Sequence, residues 1–138
     1  MVQPFHLAIP VDDLSAATQF YGTLFGCEQG RSDNDWIDWD FFGHQLVTHK
    51  VDAMPARLNP NQVDEHAVPV PHFGVVLTMT QWQALAQRLQ QANQEFIIKP
   101  YVRFKGQQGE QATMFLLDPA GNALEFKAFA DAGQLFAR

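Results

Sequence analysis

Two short apolar runs carry a histidine in matched places: Pro4-Phe5-His6-Leu7-Ala8-Ile9-Pro10 and Pro71-His72-Phe73-Gly74-Val75-Val76-Leu77. In the first, Phe5, Leu7 and Ile9 alternate with His6, Ala8 and Pro10, the period-two pattern of a half-buried strand. Asp12 or Asp13 then supplies a helix N-cap. Leu14, Ala17, Tyr21 and Leu24 recur at helical spacing up to Gly26, a residue that tolerates the positive φ of a helix stop. Strands are expected at 27–31, 36–42 and 45–51, with turns at Ser32-Asp33-Asn34-Asp35 and at Gly43.

The same order returns in the second half. A strand is expected from His72 to Met79. Thr80 reads as an N-cap with Gln83 three residues on, the capping-box spacing. Trp82, Leu85, Ala86 and Leu89 give that helix an apolar face, and Asn93 is its stop. Strands follow at 96–98, 112–117 and 123–129, with a Gly- and Gln-rich loop at 105–111 and a strong turn at Asp118-Pro119-Ala120-Gly121-Asn122. The order β-α-β-β-β thus appears twice, the second copy carrying about twelve extra residues near 99–111. This predicts an α+β fold of two tandem units: 1–51 the first, 52–71 a connector, 72–129 the second, and 130–138 a tail that forms a short helix or an arm. Pro55, Pro60, Pro69 and Pro71 crowd the connector, and prolines remove backbone donors, so no sheet element is expected there.

Composition narrows the function classes. With 138 residues, 46% hydrophobic and 17% charged, the chain has the makings of a packed core and not of a disordered segment. The net charge is −6 and no basic patch stands out, which argues against nucleic acid or an anionic membrane as partner. Cys27 is the single cysteine, so no internal disulfide and no cysteine metal cluster is expected. No apolar run has the length of a membrane span, and the N-terminus lacks signal-peptide features; the cytoplasm is the expected location.

Candidate chemistry comes from the polar residues that interrupt strands. Glu125 is the only acid from Ala123 to Phe129; alternation turns it, with Lys127, away from Leu124 and Phe126. His6 and His72 are likewise opposite their apolar neighbours. Two imidazoles and a carboxylate on three strands form a facial triad that leaves open positions on a divalent metal. Taken singly, each of the three reads equally as a surface or satisfied core residue. Tyr101, Arg103 and Lys105 stand next to the Gly-rich loop and form a candidate set for an anionic small molecule, Tyr101 with a catalytic role; the alternative is a loop of surface charges. His49 is a candidate acid or base near neutral pH, or a strand surface residue. Trp36 and Trp39 lie on opposite strand faces, so at most one lines a site; Trp39 is the candidate for substrate contact.

The paired units resemble the vicinal oxygen chelate superfamily, which includes glyoxalases, bleomycin-resistance proteins, fosfomycin-resistance enzymes and extradiol dioxygenases. The resemblance spans nearly the whole chain. It rests on His6-Leu7-Ala8-Ile9, on Phe20-Tyr21 ahead of Leu24-Phe25-Gly26, on His72-Phe73-Gly74-Val75, and most specifically on Asp118-Pro119-Ala120-Gly121-Asn122-Ala123-Leu124-Glu125-Phe126. It implies a curled mixed sheet forming a cup with helices outside, a homodimer, and a metal bound by His6, His72 and Glu125, with Fe(II) the first choice and Mn, Ni or Zn the others. It further implies dioxygenase or lyase chemistry on a small oxygen-rich or aromatic substrate, the alternative being a metal-free sequestering protein of the bleomycin-resistance kind. The chain departs from the glyoxalase pattern at the fourth ligand, where Val47-Thr48 offers no carboxylate; His49 is adjacent but expected on the other face.

Overall fold

A computed structural model of the chain describes residues 2–56, 61–63 and 66–138. The chain divides into two compact units, Met1–Arg57 with Asp118–Asn122, and Leu58–Leu117 with Ala123–Arg138. The turn 118–122 therefore belongs to the first unit, although the strands on either side of it belong to the second.

The first unit holds β1 (His6–Val11), a helix that begins as α1 (Leu14–Ala17) and continues as a π-helix (Thr18–Leu24), then β2 (Glu28–Asp33), β3 (Trp36–Phe41) and β4 (His44–Lys50). Its sheet has the order β1-β4-β3-β2, with β1 parallel to β4 and the other pairs antiparallel. Asp13, not Asp12, is the cap: its carboxylate accepts from the Ala16 backbone N–H. Ile37, Trp39 and Phe41 are buried, and the ring of Tyr21 meets those of Trp39 and Phe41. His6, Ala8, Gln45, His49, Asp38 and Asp40 occupy the opposite face by register.

The π-helix explains the extra aromatic between Leu24 and Gly26. The Phe25 N–H donates to the Phe20 carbonyl at 3.0 Å, a five-residue step in place of four. The widened turn brings Phe25 into the core, its ring centroid 4.9 Å from that of Phe20. Gly26 then ends the helix with φ 73°.

The turn 118–122 is tied to this helix. The Tyr21 hydroxyl donates to Asp118 Oδ2 at 2.8 Å, and Asp118 is only 4% exposed. Its carboxylate also accepts from the Asn122 backbone N–H at 2.8 Å and the Asn122 side-chain amide at 2.9 Å. That amide donates again to the Pro10 carbonyl at 2.8 Å. Burial pushes the Tyr21 phenol well above its ordinary value, and the neighbouring Asp118 charge adds to the shift.

The second unit repeats the topology. After β5 (Asn61–Val63) and β6 (His66–Val68), an antiparallel pair, come β7 (Val76–Leu77), α2 (Met79–Gln91), β8 (Ile98–Arg103), β9 (Gln111–Leu117) and β10 (Ala123–Phe129), with sheet order β7-β10-β9-β8. Trp82, Leu85, Ala86 and Leu89 of α2 are buried, and the Trp82 indole N–H donates to the Phe126 carbonyl at 2.9 Å. Leu124, Phe126 and Ala128 are fully buried, with Glu125 and Lys127 on the other face. The tail holds a short 3-10 turn at Ala132–Gln134. None of the described helices is long and apolar enough to cross a membrane.

Three expectations change. The helix cap is Thr78, two residues before Thr80: its hydroxyl accepts from the Gln81 N–H, and the Gln81 side chain accepts from the Thr78 N–H. The strand expected from His72 narrows to Val76–Leu77 plus a single bridge from Phe73 to Leu124. The connector holds the β5–β6 pair, because Pro55 and Pro69 flank these two strands and neither contains a proline; Pro60 lies outside the described residues.

Candidate functional site

The open face of the second sheet carries two cross-strand rows. Ile98, Phe115 and Glu125 form one; Tyr101, Thr113 and Lys127 form the next. An irregularity between Ile98 and Tyr101 makes this possible. Strict alternation would put Lys99, Tyr101 and Arg103 together, whereas the shift turns Ile98 to the same side as Tyr101 and Arg103 and leaves Lys99 exposed.

His72 reaches this face through Gly74. A Cβ at Gly74 would stand 1.6 Å from the Glu125 carbonyl oxygen, so only glycine lets the chain run this close to β10. The Phe73 N–H donates to the Ala123 carbonyl at 3.1 Å, and the Glu125 N–H donates to the Phe73 carbonyl at 2.8 Å. His72 and Glu125 are thus held on neighbouring backbone.

Their side chains meet. His72 Nε2 lies 3.3 Å from Glu125 Oε1. The other imidazole nitrogen, Nδ1, is 2.6 Å from the Pro69 carbonyl oxygen, which only accepts, so Nδ1 carries the proton and donates. Nε2 faces the carboxylate, as an acceptor in the neutral ring or as a donor in the imidazolium. The Thr113 hydroxyl donates to Glu125 Oε2 at 2.6 Å, and Lys127 Nζ stands 3.9 Å from Oε1. The His72 ring sits edge-on to Phe115, at 4.9 Å between centroids.

These residues line an open cavity of about 170 Å³ together with Tyr101, Arg103, Ile98, Val68 and Val63. The His66 ring lies 5.5 Å from that of Tyr101, which makes His66 a neighbour of this lining. Lys105 is elsewhere: β8 continues to Arg103, and Lys105 falls in an exposed turn that does not line the cavity. Lys127 and Thr113 were not among the sequence candidates for substrate or ligand support. Period-two alternation from Glu125 marks Lys127, and cross-strand pairing marks Thr113.

His6 belongs to the first unit and is built in the same way. Its Nδ1 is 2.7 Å from Gln45 Oε1, while the Gln45 amide nitrogen donates to Asp38 Oδ2 at 3.3 Å. That orientation of the Gln45 amide makes Nδ1 the donor. Two residues beyond Gln45, the partner of His6, stands Val47; two residues beyond Ala123, level with His72, stands Glu125. Val47 therefore takes the place of Glu125 in the first unit, and His49 takes that of Lys127. No irregularity interrupts β4, and His49 shares the face of His6 directly, contrary to the expectation that it points away. Trp39 does not face this side: it is 2% exposed, packs against Tyr21, and donates its indole N–H to Thr48 Oγ1 at 3.2 Å. Trp36 is the tryptophan of the open face. Among the described residues no three His, Cys, Asp or Glu side chains form a ready metal cluster.

The glyoxalase/bleomycin resistance protein/dioxygenase superfamily matches residues 3–126 of the chain. A solved structure of a glyoxalase/bleomycin resistance protein/dioxygenase from Alicyclobacillus acidocaldarius is 36% identical, with 97% of this chain and 96% of that one covered and a TM-score of 0.78. The fosfomycin resistance protein FosX from Listeria monocytogenes shares the fold at 16% identity, 93% coverage of each chain and a TM-score of 0.68. So does lactoylglutathione lyase from Agrobacterium tumefaciens, at 19% identity, 100% and 98% coverage and a TM-score of 0.68. No curated protein sequence matches. The duplicated β-α-β-β-β sheets and the extent of these matches make the chain a member of the glyoxalase/bleomycin resistance protein/dioxygenase superfamily.

Proposed function

We propose that this chain is a metal-dependent enzyme, cytoplasmic and homodimeric, in which His6, His72 and Glu125 hold one divalent ion, Fe(II) first and Mn, Ni or Zn otherwise. The observation that carries this reading is the His72–Glu125 pair. With Nδ1 donating to Pro69, a neutral His72 turns its Nε2 lone pair toward the Glu125 carboxylate 3.3 Å away, and one cation would serve both groups. Neighbouring ligands at metal–ligand distances of about 2.0–2.2 Å sit about 3 Å from one another, which this separation matches. The outer contacts fit as well. Metal-binding histidines characteristically donate their second N–H to a carbonyl or carboxylate, and bound carboxylates accept hydrogen bonds in turn. His72 does the first through Pro69, His6 through Gln45, and Glu125 does the second through Thr113.

A bound ion supplies Lewis-acid polarisation of two adjacent substrate oxygens, or activation of oxygen, which corresponds to lyase or dioxygenase chemistry. The protein's own residues do the rest. Phe115, Ile98 and Val68 give the cavity an apolar wall that orients a small or aromatic body. Tyr101, in the row beside Glu125, would hold or deliver a proton at a substrate oxygen, and His49, at the position of the first unit equivalent to Lys127, would be a second acid or base. The lactoylglutathione lyase and fosfomycin resistance relatives show chemistries housed in this fold.

Calorimetric titration of Mn(II) into chelator-treated protein tests the reading. One ion per chain is expected for wild type, with binding lost in His72→Ala and in His6→Ala. Mixing those two variants decides whether the triad is built across a homodimer. After equal mixing and subunit exchange, a shared site regains one ion per mixed dimer, about a quarter of an equivalent per chain overall, and a site within one chain regains none. Absence of metal binding by wild type, with tight metal-independent capture of an aromatic small molecule, assigns the chain to the sequestering class instead.

A further inference from the structure

We infer that Asp38 is a positioning residue: through the Gln45 amide it fixes the His6 proton on Nδ1 and so leaves the lone pair of the neutral ring on Nε2, the atom that would meet a metal. This rests on the reading of His6 as a ligand. All three residues belong to the first unit.

The contacts run across one face of one sheet. His6 and Gln45 are direct partners on β1 and β4, and Asp38 lies on β3, diagonal to Gln45. A glutamine amide accepts at one end and donates at the other, so alone it could offer either end to an imidazole. A carboxylate only accepts, and this decides the orientation. Gln45 Nε2 donates to Asp38 Oδ2 at 3.3 Å, which turns Gln45 Oε1 to His6 Nδ1 at 2.7 Å. Asp40, the direct partner of Gln45, is engaged in the turn, where its Oδ1 accepts from the Gly43 N–H at 2.8 Å.

His6 has need of such a lock. It is exposed, so water competes for both ring nitrogens. In water the neutral ring favours its proton on Nε2, where it blocks coordination. The second unit solves the same problem differently. His72 Nδ1 faces the Pro69 carbonyl, an acceptor that needs no helper. The residue paired with Glu125 there is Phe115, whereas the residue paired with Val47, the first unit's equivalent of Glu125, is Asp38.

Long-range proton–nitrogen NMR of histidine-labelled, metal-free protein at about pH 8.5, well above the ordinary imidazole value, reads the tautomer directly. The His6 signal is identified by its loss in His6→Ala. Wild type is expected to carry the proton almost wholly on Nδ1. In Asp38→Asn the Nε2–H form should become the major one, because an asparagine satisfies Gln45 in either orientation. Mn(II) affinity in calorimetric titration should then fall by about three- to tenfold, as the competent form is less populated. The double variant Asp38→Asn/Gln45→Glu moves the carboxylate next to His6 at unchanged total charge and should restore both readouts. Asp40→Asn removes the same charge from the same strand and should leave the tautomer as in wild type. A wild-type ring protonated on Nε2, an Asp38→Asn ring still protonated on Nδ1, or a double variant that is not restored overturns the proposal. Manganese uptake that survives such a result keeps the metal reading. A wild type locked on Nδ1 that takes up no manganese overturns the metal reading and leaves the lock standing.

Discussion

The Tyr21 hydroxyl donates at 2.8 Å to the buried carboxylate of Asp118, and so joins the Phe20-Tyr21 helix to the Asp118–Asn122 turn. Both segments are prominent in the sequence, and the turn is its most specific family signature. Their contact is structural: Asp118 spends its carboxylate on Tyr21 and Asn122, and Asn122 fastens β1 through the Pro10 carbonyl. Tyr21→Phe leaves one oxygen of a buried carboxylate short of a donor. It should destabilise the protein by about 1–3 kcal/mol in urea unfolding, with metal uptake at neutral pH unchanged.

The same pair sets an alkaline limit. Burial, then Asp118, raises the Tyr21 phenol above its usual 10.0 in the folded protein. The unfolded chain therefore releases this proton first as pH rises. The contribution of Tyr21 is complete below pH 10 and is lost as pH climbs toward the folded value. Urea unfolding at pH 8 and pH 10.5 should show the gap between wild type and Tyr21→Phe shrinking at the higher pH. A gap that widens would refute the assignment.

Gly74 is the backbone condition for the His72–Glu125 pair. Gly74→Ala places a methyl 1.6 Å from the Glu125 carbonyl oxygen, and that oxygen is main chain and cannot swing aside. We expect a loss of about 3 kcal/mol or more of stability and, in whatever fraction folds, loss of metal uptake. Denaturant melts and metal content on one preparation check both.

Thr113 holds Glu125 from the far side, at 2.6 Å. Thr113→Val keeps the shape and removes the donor. Metal affinity should fall by about 10- to 100-fold, with stability changed by about 1 kcal/mol. Calorimetric titration of Mn(II) and urea unfolding read the two effects separately; a large stability loss with intact affinity would mark Thr113 as a packing residue instead.

Period and punctuation made much of this legible in the sequence. Alternation turned His6 and Glu125 away from their apolar neighbours, and the helix stops at Gly26 and Asn93 stand at positive φ. What alternation does not say is which face a helix covers. Trp39 shares its phase with Ile37 and Phe41, and only the ring of Tyr21 against it shows that this phase is core. Strand ends were less legible. β8 runs on to Arg103, so Tyr101 and Arg103 are strand residues and Lys105 is left in a turn. The irregularity that swings Ile98 beside Tyr101 falls at Pro100; a proline marks a bulge or an edge strand, but alternation alone does not say which side chains it turns. A strand running through Met79 would make Thr80 the cap; β7 ends at Leu77, and Thr78 is the first residue free to cap.

The central claim is that His72 is a metal ligand. Elemental analysis of protein purified without chelators, wild type beside His72→Ala, tests it most directly. The account predicts close to one divalent ion per chain in wild type, with Fe, Mn, Ni or Zn as the element, and almost none in the variant. Wild type devoid of all four after incubation with each, or a His72→Ala protein that holds the same ion at the same stoichiometry, would contradict it.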